Sequence, residues 1–436
     1  MFVWNHFTND ARVLRECMAL SESGYSVDLI CIHDPKQENL PRYEKRGEHF
    51  EIFRVRRYPV LLEILQHVYN FCLKHKAAGL LALITWACVL YILPFPAVLL
   101  TILFLLLVKT KAKTLWIRSA IFLRMIGKGW HGNYDIYHSN DLNTLPQGWF
   151  CSKLRICKRR LIYDSHEVQT SRTGYDHSVY GRLEALLINM ADEMIVENHT
   201  RARYNQKVYG FYPHVVHNYP FITPQNIHPS FAIHEVLGIA AEEKILLYQG
   251  GIQTGRGLDK LIEASAKFKE GVLVFIGDGK IKTELQDEVK KRNLTDRIKF
   301  LSKVPLAVLP QYTQQAYLGF QVLNNVCFNH YSASSNKLFE YMMSGIPVIA
   351  CRFPEIKRVI ENEQIGICID SHRPEEIAKA VNRLLADENL RNAYSLNALK
   401  AREKYNWDRE KIQFLNVYQK LMQVKEGLGW KRIWIR

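Results

Sequence analysis

The chain has 436 residues and a mass of 50.9 kDa, more than one ordinary domain and enough for two of roughly 200 residues, each able to bury a core without disulfide or metal staples. Hydrophobic residues make up 48% and charged residues 23%, which excludes wholesale disorder and coiled coil, and a mean hydropathy of −0.16 excludes a polytopic membrane protein. Lys and Arg outnumber Asp and Glu by 58 to 43, a net charge of +15 that favours anionic partners such as membrane headgroups, phosphates or nucleic acid.

The first residues, MFVWNHFTND, lack a basic stretch and a long apolar run, so no secretory signal is expected there. Nine cysteines are scattered without a Cys-x-x-Cys pair, the usage of a reducing compartment. Val27–Ile32 reads as a strand. From Ala77 to Val108 no residue is charged. As one helix this run would rise about 48 Å, well beyond a hydrocarbon core of about 30 Å. Leu93-Pro94-Phe95-Pro96 breaks it near the middle, because proline removes a donor and disfavours helix before it. Lys74 and Lys76 flank one end, and Lys109, Lys111, Lys113 and Arg118 the other. By the positive-inside rule both ends lie on the cytoplasmic side. A hairpin that enters one leaflet and returns is expected over two thin crossings or one span, with a buried core helix pair as the alternative.

Around that insert the pattern is α/β. Asp135–His138, Leu161–Asp164, Glu193–Val196 and His214–His217 read as strands, and the loop after Asn218, with Pro220, Pro224 and Pro229, is the linker candidate. A second series follows at Ile245–Tyr248, Val272–Ile276, Ile298–Leu301, Gly319–Leu323, Pro347–Ala350 and Ile367–Ile369. Helices fall between them at Leu258–Lys267, Ile281–Lys290 and Glu375–Ala386. Two blocks of strand–helix alternation predict two Rossmann-like, doubly wound parallel-sheet domains facing a cleft. The insert interrupts the first block, whose strands must share one side of a membrane, so an even number of crossings, or none, is required.

Four segments can carry chemistry. Tyr248-Gln-Gly-Gly-Ile-Gln-Thr-Gly-Arg-Gly257 links a strand to a helix and lacks a P-loop ending. Its glycines, Gly250 and Gly251 among them, let backbone approach a ligand, and Arg256 adds a forked cation suited to a diphosphate. A plain turn with a solvated Arg is the bland alternative. Gly277-Asp278-Gly279 is a second, weaker turn of this kind. In Ser332-Ala-Ser-Ser-Asn-Lys-Leu-Phe-Glu340, Ser334 or Ser335 can cap a helix that ends near Gly345. Lys337 and Glu340 share its face, as an anion site with a diol acceptor or as a surface salt bridge. Tyr163-Asp164-Ser165-His166-Glu167 ends a strand where α/β proteins keep their chemistry, although a lone histidine is more often structural. No Asp-x-Asp occurs, and His214 and His217 on a strand face opposite sides, so no metal site is expected. The basic residues gather beside the apolar insert and at Lys153–Arg160, and the tail Trp430–Arg436 has interfacial composition. A membrane therefore explains the charge more economically than nucleic acid does.

Together, Asn9-Asp10-Ala11-Arg12-Val13, Asp164-Ser-His-Glu167, Gly257-Leu258, Phe275-Ile-Gly-Asp-Gly279 and Asn336-Lys-Leu-Phe-Glu-Tyr-Met with Gly345-Ile-Pro347 resemble glycosyltransferase family 4. The likeness covers nearly the whole chain outside Ala77–Val108 and its flanks. It implies a retaining, metal-independent GT-B enzyme using a nucleotide-diphospho-sugar as donor substrate, without a cofactor. It further implies an acceptor-binding domain over 1–218, a nucleotide-sugar-binding domain over 219–406, and a helix within 407–436, about Glu410–Val424, that crosses back to the first domain. Glu340 would hold the donor ribose; Arg256 and Lys337 would act on the diphosphate, with His166 close to the transferred sugar. Gly250, Gly251, Gly277, Gly279 and Asn336 would line the donor, with Asp10, Arg12 and Glu167 on the acceptor side. Two departures stand out. Ser332 occupies the place of the family's first glutamate, eight residues before Glu340, and Met1–Trp4 would be a clipped first strand with the true start upstream.

The expected function is sugar transfer to a membrane-associated, lipid-linked or glycan acceptor at the cytoplasmic face of the cell membrane, in cell-surface polysaccharide or glycolipid synthesis. A sugar-nucleotide epimerase of the same fold, or a catalytically silent membrane-bound nucleotide-sugar-binding protein, are the competing readings.

Overall fold

The computed structural model describes residues 1–8, 10–35, 40–109, 111–171, 178–224, 231–370 and 373–423. Asn9, Pro229, Val424 and the tail Trp430–Arg436 lie outside the described residues. The chain forms two compact units. The first comprises residues 1–164 with 186–192, the second residues 165–185 with 193–436.

Unit 1 opens with a helix, α1 (Ala11–Glu22), whose N-cap Asp10 accepts from the Val13 amide. Strands β1 (Val27–Ile32), β2 (Tyr43–Lys45) and β3 (Phe50–Val55) follow, in the order β1-β3-β2, with β1 and β3 parallel. Sequence reading missed β2 and β3. The inward positions of β3 are Phe50, Ile52 and Arg54, and an inward cation hides the alternation that marks a strand. Arg54 is tolerated there because Glu44 Oε2 accepts from it at 2.8 Å and the Pro41 carbonyl at 2.9 Å.

Next comes an arm of four helices: α2 (Val60–Lys74), α3 (Lys76–Ile92), α4 (Pro94–Lys109) and α5 (Lys111–Gly132). The break between α3 and α4 falls at Leu93, and Pro94 opens α4, where its missing N–H costs nothing. No residue of α3 is buried, and Tyr91 and Phe95 at the hairpin tip are among its most exposed apolar side chains. The polar groups between the two helices are satisfied internally: Trp86 Nε1 donates to Thr101 Oγ1 at 3.0 Å, and Thr85 and Thr101 return their hydroxyl protons to carbonyls one turn back. Helix α2 meets α3 at a bend of 117°; no single described helix is long and apolar enough to cross a membrane. Helix α5 returns to the sheet, where Arg124 donates to the Arg56 and Tyr58 carbonyls. β4 (Ile136–Asn140), α6 (Leu145–Lys153) and β5 (Arg160–Ser165) complete the unit. β4 and β5 are parallel, and Phe2 bridges Ile30 of β1 and Ser139 of β4.

The chain passes between the units after Asp164 at the end of β5, after Ala185 within α7 (Ser178–Ile188), and after Asp192. Unit 2 then holds the parallel pair β6 (Glu193–Val196) and β7 (His214–Val215), joined by α8 (His199–Tyr209). After α9 (Ile233–Leu237) comes the main sheet: β8 (Ile245–Gln249), β9 (Val272–Ile276), β10 (Ile298–Leu301), β11 (Leu318–Gln321), β12 (Val348–Cys351) and β13 (Gly366–Ile369). The strands run parallel in the order β10-β9-β8-β11-β12-β13. Between them lie α10 (Leu258–Ser265), α11 (Lys282–Lys291), α12 (Leu309–Thr313), α13 (Phe328–Tyr331), α14 (Asn336–Met343), α15 (Pro354–Glu363) and, after β13, α16 (Pro374–Ala386) and α17 (Glu388–Ala401). Successive β8 residues serve opposite cores: Leu247 joins the cluster containing Met342 and Ile356, whereas Leu246 and Tyr248 join that of Leu261 and Val381. A strand buried on both faces has no polar side to show, hence its continuous apolar run. The last helix, α18 (Trp407–Gln423), returns to the β6–β7 pair, with Glu410 accepting from the His217 amide at 2.8 Å and Lys420 Nζ 3.1 Å from Glu193.

Candidate functional site

The strand order of the main sheet reverses between β8 and β11, the place where open parallel sheets bind ligands beyond their carboxyl ends. The loop leaving β8 begins at Gly250, whose φ of +126° suits glycine. It lies against the loop leaving β9: the Gly250 amide donates to the Ile276 carbonyl at 2.9 Å and the Ile252 amide to the Asp278 carbonyl at 3.0 Å. A Cβ at Gly277 would fall 2.0 Å from the Gly250 oxygen, and one at Gly279 1.8 Å from the Ile252 oxygen. These two glycines therefore set the height of the β8 loop, while Gly251 is exposed at its crest.

Two helices open beside this loop. Gly257 is the N-cap of α10 and Ser335 that of α14, and neither cap position supplies a side-chain hydrogen bond. The expected Ser335 cap is thus present in position but not in bonding, and first-turn amides at both ends keep the partial positive charge that attracts anions. Arg256 precedes α10, half-buried, and Lys337 lies in the first turn of α14, buried. Among the described residues neither cationic group has a hydrogen-bond partner. Lys337 and Glu340 do not form the surface salt bridge that their spacing also allowed. Lys337 Nζ stands 3.9 Å from the centroid of the Tyr248 ring. Burial first, and then the positive charge of Arg256, lower its pKa to about 7, against the pull of Glu340.

Glu340 is positioned by residues that the sequence did not single out. Gln249, the polar last residue of β8, donates from Nε2 to Glu340 Oε2 at 2.6 Å and accepts from Thr313 Oγ1 at 2.8 Å. Tyr341 Oη donates to the Leu247 carbonyl at 2.9 Å and accepts from the Gln249 amide at 3.1 Å. One buried glutamine closing an otherwise apolar strand was the available signal. Asn336, exposed, accepts at Oδ1 from Asn218 Nδ2 at 2.9 Å.

The His166–Glu167 turn belongs to the same unit. The Val168 amide donates to Asn329 Oδ1 at 2.8 Å, Asn329 Nδ2 returns a bond to the Val168 carbonyl at 3.1 Å, and Arg201 donates to the His166 carbonyl. Glu167 is near enough to His330 to favour its protonation, although burial leads in lowering the pKa of that imidazole, with Arg256 adding to it. Ser332 is fully buried; its Oγ accepts from Arg201 Nε at 3.2 Å and its carbonyl from Asn198 Nδ2 at 2.8 Å. The position expected to carry a carboxylate is instead a structural joint between α8 and α13. His214 and His217 turn to different carboxylates, Glu193 and Glu410, each at 2.9 Å.

In unit 1, the expected acceptor-side residues Asp10 and Arg12 bond within the unit. Asp10 caps α1 and accepts from Asn5 Nδ2 at 2.7 Å. Arg12 is buried between Glu16, at 2.9 Å, and Asp164, at 2.8 and 3.0 Å. Gly250, Gly251, Arg256, Gly277, Gly279, Lys337 and Glu340 are thus assembled in unit 2, whereas Asp10 and Arg12 lie in unit 1 and are engaged in its packing.

Residues 230–401 match the family model described as glycosyl transferases group 1. An uncharacterised glycosyltransferase of Methanocaldococcus jannaschii is 28% identical over 192 residues, covering 43% of this chain and 48%, about half, of its own length. A D-inositol 3-phosphate glycosyltransferase of Jonesia denitrificans is 24% identical over 317 residues, covering 67% of this chain and 72% of its own. Among solved structures, Anabaena HepE in complex with UDP and glucose superposes with a TM-score of 0.65 at 15% identity, over 96% of this chain and 98% of that one. Residues 230–401 therefore resemble the glycosyl transferases group 1 domain, and the chain has an α/β fold of the GT-B type.

Proposed function

We propose that the protein is a retaining glycosyltransferase that moves a sugar from a nucleotide-diphospho-sugar to a membrane-associated, lipid-linked acceptor at the cytoplasmic face of the cell membrane. The observation that carries this reading is the convergence of Arg256, Lys337 and two uncapped helix N-termini on the loop after β8, with Glu340 fixed beside them by Gln249. As the anomeric bond breaks, negative charge grows on the departing diphosphate. Cationic groups and amides already in place in the occupied site stabilise that charge without reorganising, each such donor being worth about 3 kcal/mol of barrier. This chemistry needs no metal. Glu340 suits a vicinal diol such as a ribose, and His166 shapes the sugar site from the turn after β5. The acceptor hydroxyl is activated chiefly by being held in line, with orientation supplying much of the remaining rate.

The solved relative HepE holds UDP and glucose, so UDP-sugars are the first donors to test, with GDP- and ADP-sugars beside them. Donors that bind should raise the melting temperature in proportion to occupancy. Glu340→Gln should weaken donor binding by about tenfold or more, the worth of a charge-assisted hydrogen bond, and unchanged affinity in calorimetry would remove Glu340 from this role. Membrane attachment is supported by the α3–α4 hairpin. Its helices, at 17 and 16 residues, are each about 25 Å long, short of a full crossing, and the side chains of Thr85, Trp86 and Thr101 bond internally as hydrocarbon demands.

A further inference from the structure

Lys337 is set apart from the other cations of unit 2 by what surrounds its amine. The groups that face it are Glu340 from its own helix, Arg256 from the loop after β8, Tyr248 from β8 and Cys351 from β12. Glu340 is already held by Gln249 at 2.6 Å. Burial pushes the Tyr248 phenol and the Cys351 thiol each up to about 12, so both are neutral. Beneath the amine lies Gly250, where a Cβ would come within 3.3 Å of Nζ. An ammonium there gains the Tyr248 face but is buried, has a second cation nearby and no acceptor among the described residues, which is a costly place for a charge.

We propose that Lys337 is a neutral amine in the empty protein and takes a proton from solvent as a diphosphate seats against it, so that donor binding and protonation are one coupled step. The inference rests on the diphosphate reading given above and says how that site is charged. The amine lone pair forms the new N–H bond, the proton comes from water or buffer, and the resulting ammonium donates to a diphosphate oxygen. Burial, with Arg256, already brings the titration of Lys337 to about 7. Above that pH the empty site therefore presents one cation, and the occupied site presents two.

The test is titration calorimetry of the full chain with UDP at pH 8 in buffers of different ionisation enthalpy. The nucleotide's terminal phosphate, with a second pKa of about 6, is already ionised there. The native protein should take up close to one proton per UDP bound, and affinity should fall about tenfold per pH unit above pH 8. K337R, always charged, should bind UDP with no uptake and little pH dependence, and K337M should bind weakly. Zero uptake by the native protein overturns the proposal. So does full uptake retained in K337R, which would move the proton to His330 or His166. A measurement without nucleotide separates the two readings: the lysine ¹³Cε resonance lost in K337R should titrate near neutrality rather than near 10.4. If it titrates near 10.4 while UDP binds, the coupling is wrong and the donor site stands. If it titrates near neutrality and neither UDP, GDP nor ADP binds, the donor reading fails and the coupling with it.

Discussion

Gly277 meets the β8 loop so closely that its hydrogen is the largest side chain the site admits. Replacing it with alanine puts a methyl 2.0 Å from the Gly250 oxygen, at a φ of +154°. Backbone must move, and Gly277→Ala is expected to cost about 2–4 kcal/mol in urea unfolding, together with a loss of nucleotide affinity. Glu355 tests a different physics. Burial pushes its pKa up, but the Thr200 hydroxyl and amide, at 2.6 and 2.8 Å, and Arg358, at 2.8 Å, hold it below the ordinary 4.5. With the folded value below the unfolded one, this stabilisation is fully present above about pH 4.5 and lost as pH falls through the lowered value. Glu355→Gln should flatten that acid limb in pH-dependent melting curves. Arg256 and Glu340 were legible in the sequence because their neighbours form an ordered motif. The burial of Lys337 was not: a Lys and a Glu three apart serve a surface pair equally well, and only packing against β8 and β12 decides between them.

At the scale of elements, legibility followed burial. Val27–Ile32, Glu193–Val196, Val272–Ile276 and Ile298–Leu301 were placed at their observed bounds, since a short apolar run closed by polar residues has few other uses. The break at Leu93 was equally plain, because proline dictates it. The flanking helices α2 and α5 were not identified, because charge returns there and the uncharged run alone had marked the arm. The hairpin invites a direct experiment: deleting Ala77–Val108 should move the protein from the membrane to the soluble fraction. If the deletion variant still sediments with membranes, the assignment of the hairpin as an anchor fails.

For the molecule as a whole, the C-terminal helix is the piece whose loss reaches furthest. Helix α18 buries Trp407, Phe414, Val417, Tyr418 and Leu421, and Glu410 and Lys420 fasten it to His217 and Glu193. A chain ending at residue 406 should lose several kcal/mol, since each large apolar side chain buried contributes about 1.5–3. Limited proteolysis should then cut first near β6 and β7. The same fastening joins residues about 200 positions apart in sequence, a separation that slows closure. During synthesis, the stretch around His217 leaves the ribosome long before its partner exists. At about 5–20 residues per second, that stretch waits on the order of 10–40 seconds with its helix-facing surface uncovered, a window in which a chaperone, or a nearby lipid surface, meets it first.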